Sequence, residues 1–214
     1  MGKNLADYRK NYTKGSLLEN EISNNPFELF SNWFEEMESK SDAFEVNAMT
    51  VATIGDDGFP KSRVVLLKEY DEEGFIFYTN YTSDKGLALL QNPHICLSFF
   101  WPLLERQVII KGIAEKSSEK KAKEYFNSRP RGSQLGAWAS NQSSEIASRE
   151  VLDKSIEELE TRFVDKEIPK PDFWGGYLVK PVSIEFWQGR SSRLHDRILF
   201  EKISNLWKVK RLAP

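Results

Sequence analysis

Short apolar segments separated by tight-turn signals restrict the first half of this chain to antiparallel strands. Ala48 to Ile54 is followed by Gly55-Asp56-Asp57-Gly58, then by Arg63 to Leu67, and then by Asp71-Glu72-Glu73-Gly74 and Phe75-Ile76-Phe77-Tyr78-Thr79. Runs of this length, rich in β-branched and aromatic residues and joined by Asp/Gly turns, pair with their sequence neighbours as a meander. The runs Ile95 to Trp101, Gln107 to Ile113, Trp174 to Trp187 and Leu194 to Val209 extend the pattern. Helical patterns lie between them at Ser83 to Asn92, Ser118 to Asn127, Gln134 to Ala139 and Ser148 to Phe163. Ahead of all of these, Pro26 to Met37 sets Phe27, Phe30, Phe34 and Met37 at helical spacing, with Pro26 in the first turn. Many strands without a strand-helix-strand rhythm predict a mainly β fold with peripheral helices, an antiparallel barrel.

A length of 214 residues fits one domain with a real core. Residues 1–25 are polar and weakly periodic and read as an arm that becomes ordered on a surface, leaving 26–214 as the folded domain. With 30 basic and 32 acidic residues the formal charge is -2, so no global field draws the chain to nucleic acid or an anionic membrane, and any basic site is local. Cys96 is the only cysteine, which excludes an intrachain disulfide and fits a reducing compartment, with a packing role inside a strand. The N-terminal residues lack an apolar signal core and no apolar run is long enough for a bilayer, so the expectation is a soluble, cytoplasmic protein. The chain holds no Gly-x-Gly-x-x-Gly, Walker loop, nucleophile elbow or metal-type Cys/His spacing, and no metal is expected. His94, after Pro93, reads as structural.

The densest chemistry lies between Glu185 and Arg197, where His195 stands among Arg190, Arg193 and Arg197. If the chain is extended from Arg193 onward, Arg193, His195 and Arg197 project from one face and Leu194 and Asp196 from the other. Such a face suits a phosphate, a phenolate or an electron-rich ring. The alternative is a solvated edge strand carrying protective charges. Phe186 and Trp187, just upstream, supply flat apolar surface and favour a pocket.

Two further segments carry anion chemistry. In Tyr78-Thr79-Asn80-Tyr81-Thr82-Ser83-Asp84-Lys85-Gly86 a strand leads into a helix with Ser83 as N-cap, and Thr79, Ser83, Lys85 and free backbone N–H groups there suit a phosphate. An ordinary capping sequence would look the same. In Tyr125 to Gln134, Pro130 ends one helix near Ser128 and Ser133 is placed to cap the next, which folds Tyr125, Arg129 and Ser133 into a second cradle. Arg63 and Lys68 bracket an apolar strand, and their separation sends them to opposite faces, where they would serve two neighbouring anions or simply mark charged strand ends. Gln107 and the pair Gln142-Ser143 supply neutral donors and acceptors for the edge of a heterocycle, or are ordinary loop and strand-face polar groups.

Together these segments resemble the pyridoxine (pyridoxamine) 5'-phosphate oxidase family from about Tyr8 to Pro214. The resemblance rests on Arg63-Val64-Val65-Leu66-Leu67-Lys68, Phe77-Tyr78-Thr79-Asn80, Glu105-Arg106-Gln107-Val108, Ser128-Arg129-Pro130-Arg131, Gly136-Ala137-Trp138, Phe173-Trp174-Gly175-Gly176, Ile184 to Gly189 and Arg193-Leu194-His195-Asp196-Arg197. It implies an FMN-binding split barrel acting as a homodimer, with FMN at the subunit interface. By position, Arg63, Val64, Val65, Leu66, Leu67, Lys68, Tyr78, Thr79, Ser83, Lys85, Gln107, Gln142, Ser143, Trp187 and Arg197 would form the FMN set. Lys68, Tyr125, Arg129 and Ser133 would hold the substrate phosphate. Arg193 and His195, the implied catalytic pair, would meet the pyridine ring and its 3-hydroxyl, while Arg9, Lys10, Asn11 and Tyr12 match a mobile lid. Asp84 departs from the family pattern, which often has arginine there. The implied reaction oxidises pyridoxine or pyridoxamine 5'-phosphate to pyridoxal 5'-phosphate, with dioxygen giving hydrogen peroxide. Readings of another class are a non-catalytic FMN carrier or sensor, which would not need the substrate set, and a flavin reductase, which would need a nicotinamide site.

Overall fold

Gly58 lies in the left-handed region at φ 76° and its N–H bonds to the Gly55 carbonyl at 2.9 Å, closing the first hairpin as the turn chemistry requires. The computed structural model describes residues 2–40 and 45–214. In chain order it contains α1 (Pro26–Ser39), β1 (Ala48–Ile54), β2 (Pro60–Leu66), β3 (Glu69–Asp71), β4 (Gly74–Asn80), α2 (Asp84–Gln91), β5 (His94–Trp101) and β6 (Arg106–Lys116). These are followed by α3 (Glu119–Ser128), α4 (Arg131–Ala139), α5 (Glu150–Arg162), β7 (Trp174–Gln188), β8 (Asp196–Ile203) and β9 (Leu206–Leu212). Short 3-10 turns occupy Glu19–Glu21 and Ser191–Arg193. Hydrogen-bonded neighbours run β2-β1-β5-β6-β7-β4-β3, with β8 on β7 and β9 on β8. The β3-β4, β4-β7, β7-β8 and β8-β9 ladders are all antiparallel. This is the mainly β architecture with peripheral helices that the sequence predicts.

The chain divides into two compact units, Met1–Met49 with Leu97–Lys111 and Pro181–Pro214, and Thr50–Cys96 with Gly112–Lys180. In the first, α1 buries Phe27, Phe30, Trp33 and Met37. Asn25 caps this helix through Phe27 N, and Pro26 occupies the first turn, where a missing N–H costs nothing. Phe30 meets Phe99 edge-on at 5.3 Å and Trp33 meets Phe186 at 5.2 Å. Phe34, expected on the core face, is half-buried, because the buried stripe runs through Trp33 instead. Ile184, Phe186, Ile198 and Phe200, all on alternate positions of β7 and β8, complete this core.

In the second unit, Phe126, Leu135, Phe163, Ile168 and Trp174 form a buried cluster, with Tyr78, Tyr125, Trp138 and Phe173 packed against it. The cluster fixes α3, α4 and α5 on the β4-β7 ladder, whose register sets Tyr78 opposite Gly176 and Asn80 opposite Trp174. Gly176 is required at that position: a Cβ would lie 2.5 Å from Ser117 Oγ and 2.9 Å from the Tyr78 ring. The strand pair formed by β3 and β4, three residues deep, was not legible because Glu69-Tyr70-Asp71 carries no alternation.

Several sequence expectations are corrected. Extended chain begins at Asp196, not Arg193: residues 191–193 form a 3-10 turn in which Ser192 and Arg193 have φ 56° and 61°. Strand alternation therefore does not place Arg193, His195 and Arg197 on one face. Helix α4 starts at Arg131 with Pro130 at its N-cap, so Ser133 sits inside the first turn rather than capping it. β2 ends at Leu66, so alternation does not send Lys68 to the face opposite Arg63. Phe186 is fully buried in the core and offers no surface to a pocket. Apart from these corrections, the N-terminal segment makes its contacts within the first unit: Leu17 is buried, Thr13 and Lys14 N–H donate to Glu105 Oε2 at 2.7 and 3.0 Å, and Leu17 N–H donates to Asp196 Oδ2 at 3.1 Å.

Candidate active site

A cavity of about 1110 Å³ in the second unit is lined by Arg63, Val64, Val65, Leu66, Lys68, Tyr78, Thr79, Asp84, Lys85, Tyr125, Arg129, Ser133, Gln142 and Ser143, with Trp174 and Gly136 among others. Most of the residues assigned from the sequence to two separate ligands therefore share one space. Leu67 is the exception in its segment, being buried and absent from the lining.

The cavity's cationic groups are held in different ways. Lys85 is buried on the first turn of α2, whose N-cap Ser83 accepts from Gly86 N. Its Nζ donates to Thr79 Oγ1 at 2.9 Å, Gln142 Oε1 at 2.9 Å and Ser83 Oγ at 3.3 Å, all neutral oxygens. Burial, and then the nearby Arg63 guanidinium, lower its pKa from 10.5 to about 8, with Asp84 pulling the other way. Arg63 is likewise lowered by burial and partly restored by Asp84, and its NH1 donates to Thr53 Oγ1 at 2.9 Å. Asp84 thus supplies the counter-charge near both cations. Its backbone N–H donates to Ser143 Oγ at 3.3 Å, and Ser143 adopts φ 72° to present that oxygen.

Arg129 follows the end of α3 at Ser128, where Pro130 blocks continuation of the helix. Its guanidinium lies 4.8 Å from the centroid of Trp174, and its NH1 is buried without a hydrogen-bond partner among the described residues. A buried guanidinium nitrogen left unpaired is costly, and an anion satisfies it. Lys68 Nζ lies 6.0 Å from the Tyr125 centroid. Tyr78, Tyr125 and Trp174 are nearly parallel and stacked, with Tyr78 4.1 Å from Tyr125 and 5.5 Å from Trp174, and this stack forms an aromatic wall of the cavity. Burial raises the Tyr78 pKa, so its phenol stays neutral. A buried ammonium on neutral oxygens, an unpaired guanidinium nitrogen and an aromatic wall suit planar ligands that carry phosphate.

The remaining candidates belong to the first unit. His195 lies 4.6 Å from Trp187 and 5.9 Å from Tyr12, centroid to centroid, and its Nδ1 accepts the Arg190 backbone N–H at 3.0 Å. Tyr12 packs edge-on against Trp187 at 5.8 Å and lies over Gly189, where a Cβ would approach its ring to 2.7 Å. Arg193 is exposed and makes no ion pair among the described residues. Arg197, in contrast, pairs with Glu185 at 2.8 Å and donates to the Ala213 carbonyl, so its charge is already countered. Gln107 Nε2 donates to Ser98 Oγ at 3.1 Å. Of the arm residues, Arg9, Lys10 and Asn11 are exposed, with Lys10 Nζ 3.8 Å from Glu105 Oε1.

Sequence reasoning missed Glu105 and Asp196. Glu105 is a buried carboxylate at φ 57° that holds the arm through two backbone N–H groups. Asp196 accepts from Leu17 N, Arg190 NH1 and Arg211 NH1. Both stand beside arginines in sequence, at Glu105-Arg106 and Asp196-Arg197, where the neighbouring cation is the stronger signal. Trp174 stands in the strand run and in the Phe173-Trp174-Gly175-Gly176 motif, but its partnership with Arg129 depends on a fold-back that sequence spacing does not show.

The chain from 37 to 163 matches the family model described as Pyridoxamine 5'-phosphate oxidase, and 174–214 matches the Pyridoxine 5'-phosphate oxidase C-terminal dimerisation region. A Christiangramia forsetii protein named pyridoxine/pyridoxamine 5'-phosphate oxidase is 58% identical over 214 residues, covering 100% of both chains. A protein of the same name from Trichormus variabilis is 51% identical, again over 100% of both. Among solved structures, PhzG from Burkholderia lata, in complex with tetrahydrophenazine-1-carboxylic acid, superposes with a TM-score of 0.86 at 30% identity, covering 92% of this chain and 98% of that one. A pyridoxamine 5'-phosphate oxidase-related, FMN binding protein from Nostoc punctiforme gives a TM-score of 0.71 at 14% identity, covering 90% of this chain and 100% of that one. These neighbours bear out the split-barrel fold expected from the sequence. Matched along its full length, the chain belongs to the pyridoxine/pyridoxamine 5'-phosphate oxidase family.

Proposed function

We propose that this protein is a cytoplasmic, homodimeric FMN enzyme that oxidises pyridoxine 5'-phosphate and pyridoxamine 5'-phosphate to pyridoxal 5'-phosphate, with dioxygen as electron acceptor and hydrogen peroxide as product. The observation that carries the reading is two anion-seeking groups in one cavity: Lys85, bonded only to neutral oxygens, and Arg129, whose NH1 has no partner among the described residues. Two phosphates beside one aromatic wall fit a phosphorylated flavin and a phosphorylated pyridine. Full-length relatives carry the corresponding name, and the C-terminal match is to a dimerisation region.

FMN, when bound, supplies the hydride acceptor. In this reading Arg63, Ser83, Lys85 and the α2 N-terminus hold its phosphate, Val64, Val65, Leu66 and Lys68 line it, and Tyr78, Thr79, Gln142 and Ser143 contact it, while the buried Leu67, expected in this set, supports the strand from behind. Gln107, Trp187 and Arg197 are proposed as further contacts in the homodimer. Lys68, Tyr125, Arg129 and Ser133 clamp the substrate phosphate, which gives binding energy remote from the reacting carbon and orients it. Arg193 and His195 meet the pyridine ring and its 3-hydroxyl, and residues 1–25 act as a lid through Arg9, Lys10, Asn11 and Tyr12. A carrier or sensor would have no use for the substrate-phosphate set, so the enzyme reading is preferred. Reconstitution tests it: the expected product is a yellow dimer with one FMN per subunit, and a colourless monomer that FMN does not convert would contradict it.

A further inference from the structure

The chain has two histidines, and their Nδ1 atoms are held in opposite ways. His94 Nδ1 lies 2.7 Å from Asn92 Oδ1, an oxygen that also accepts the His94 backbone N–H at 3.1 Å. That oxygen can only accept, so His94 carries a proton on Nδ1. His195 Nδ1 lies 3.0 Å from the backbone nitrogen of Arg190, and a backbone N–H can only donate. In this arrangement His195 Nδ1 must present its lone pair, which puts the imidazole proton on Nε2.

The groups that impose this geometry form a continuous set. Arg190 is fixed by its NH1, which donates to Asp196 Oδ2 at 2.9 Å. Asp196 also accepts the Leu17 backbone N–H on Oδ2 and Arg211 NH1 on Oδ1, at 3.1 and 2.8 Å, and its side chain is 13% exposed. Arg211 reaches on to Glu19, with both carboxylate oxygens engaged, and to the Leu17 carbonyl. The ring itself packs against both Trp187 and Tyr12, which also touch each other. Through one carboxylate, the docked arm and the Arg190 backbone are held in a single arrangement.

We propose that Asp196 is a positioning residue that, through Arg190, fixes His195 as the Nε2–H tautomer, so that His195 meets its ligand as a hydrogen-bond donor and not as a proton acceptor. The Nε2 atom has no hydrogen-bond partner among the described residues, so this donor is available. Within the proposed function, on which the choice of ligand rests, a donor at that atom matches the ionised 3-hydroxyl of the pyridine.

The test is long-range ¹H–¹⁵N NMR of the imidazoles in the purified protein without substrate at mildly alkaline pH, with His94→Gln to assign the two rings. The expected result is an Nε2–H pattern for His195 and an Nδ1–H pattern for His94 in one spectrum. An Nδ1–H pattern for His195 overturns the proposal. Asp196→Asn is expected to convert the His195 signals to an averaged mixture and to lower kcat/KM roughly tenfold, the scale of one lost charge-assisted hydrogen bond. Arg190→Ala, which keeps the backbone N–H but frees it from Asp196, is expected to do the same and serves if Asp196→Asn does not fold. An unchanged Nε2–H signature in both variants removes Asp196 from the mechanism. Because the spectra are taken without substrate, a protein with the Nε2–H signature but no activity on pyridoxamine 5'-phosphate would sink the functional reading while leaving the tautomer assignment intact.

Discussion

The Arg129 guanidinium carbon lies 4.8 Å from the centre of the Trp174 ring, and NH1 is buried without a partner among the described residues. Contact with the indole restricts the guanidinium before any ligand arrives. Replacing Arg129 by Ala is expected to raise KM for the substrate about tenfold to a hundredfold, the equivalent of roughly 1.5 to 3 kcal/mol for one charge-assisted contact, while flavin content stays unchanged. Steady-state kinetics with a flavin assay on the same sample checks this; loss of flavin in place of substrate affinity would mean the two phosphate assignments are reversed.

Lys85 makes a pH prediction of definite sign. The unfolded lysine keeps its proton to about 10.5, whereas the folded apoprotein releases it near 8. Between those values the unfolded state binds more protons, so apoprotein stability rises with pH across that window. A cofactor phosphate favours the charged ammonium, so flavin binding takes up a proton above about pH 8 and weakens as pH rises, by at most about tenfold per pH unit. Titrating affinity from pH 7 to 10 measures it, and Lys85→Met is expected to flatten the profile. An equally steep profile in that variant would place the titration elsewhere.

Most strands and helices were legible because burial on alternating or helical positions left its period in the sequence, as in Ala48–Ile54 and in the Ser83-capped helix. The cation-bearing residues of the cavity were legible by type and spacing. What spacing did not give was geometry set by backbone conformation or by distant partners. The left-handed residues Ser192 and Arg193 break the strand reading around His195. Pro130 caps α4 three residues earlier than a cap at Ser133 implied. Glu105 becomes an anchor only because residues 13 and 14, more than ninety positions away, bring their N–H groups to it.

Glu105 holds the arm from inside the protein. With its side chain 1% exposed and two backbone N–H donors on Oε2, its truncation takes away the acceptor that residues 13 and 14 need. Glu105→Ala is expected to speed tryptic cleavage after Lys10 and Lys14 by about tenfold or more, with Glu105→Gln intermediate because one oxygen acceptor remains. Limited proteolysis followed by mass spectrometry reads the sites. Equal cleavage in wild type and Glu105→Ala would show that the arm is held by other contacts.

Gly189 leaves room for Tyr12. A Cβ at that position would come within 2.7 to 3.0 Å of Tyr12 Cδ2, Cγ and Cβ, so Gly189→Ala must displace the tyrosine from its place beside Trp187 and His195. The expected cost is about 1 to 3 kcal/mol of local packing, seen as accelerated cleavage of the arm and a raised KM with the global unfolding midpoint little changed. A KM equal to wild type would separate Tyr12 from substrate binding.

In the proposed function one cavity brings a flavin and a phosphorylated pyridine together for oxidation of the pyridine's side chain. The most direct test of this claim is the visible spectrum of FMN-loaded protein mixed with pyridoxamine 5'-phosphate in the absence of oxygen. The expected result is loss of the yellow absorbance within a single turnover, its return when air is admitted, and one equivalent of pyridoxal 5'-phosphate. A spectrum that stays yellow at saturating substrate would contradict the claim.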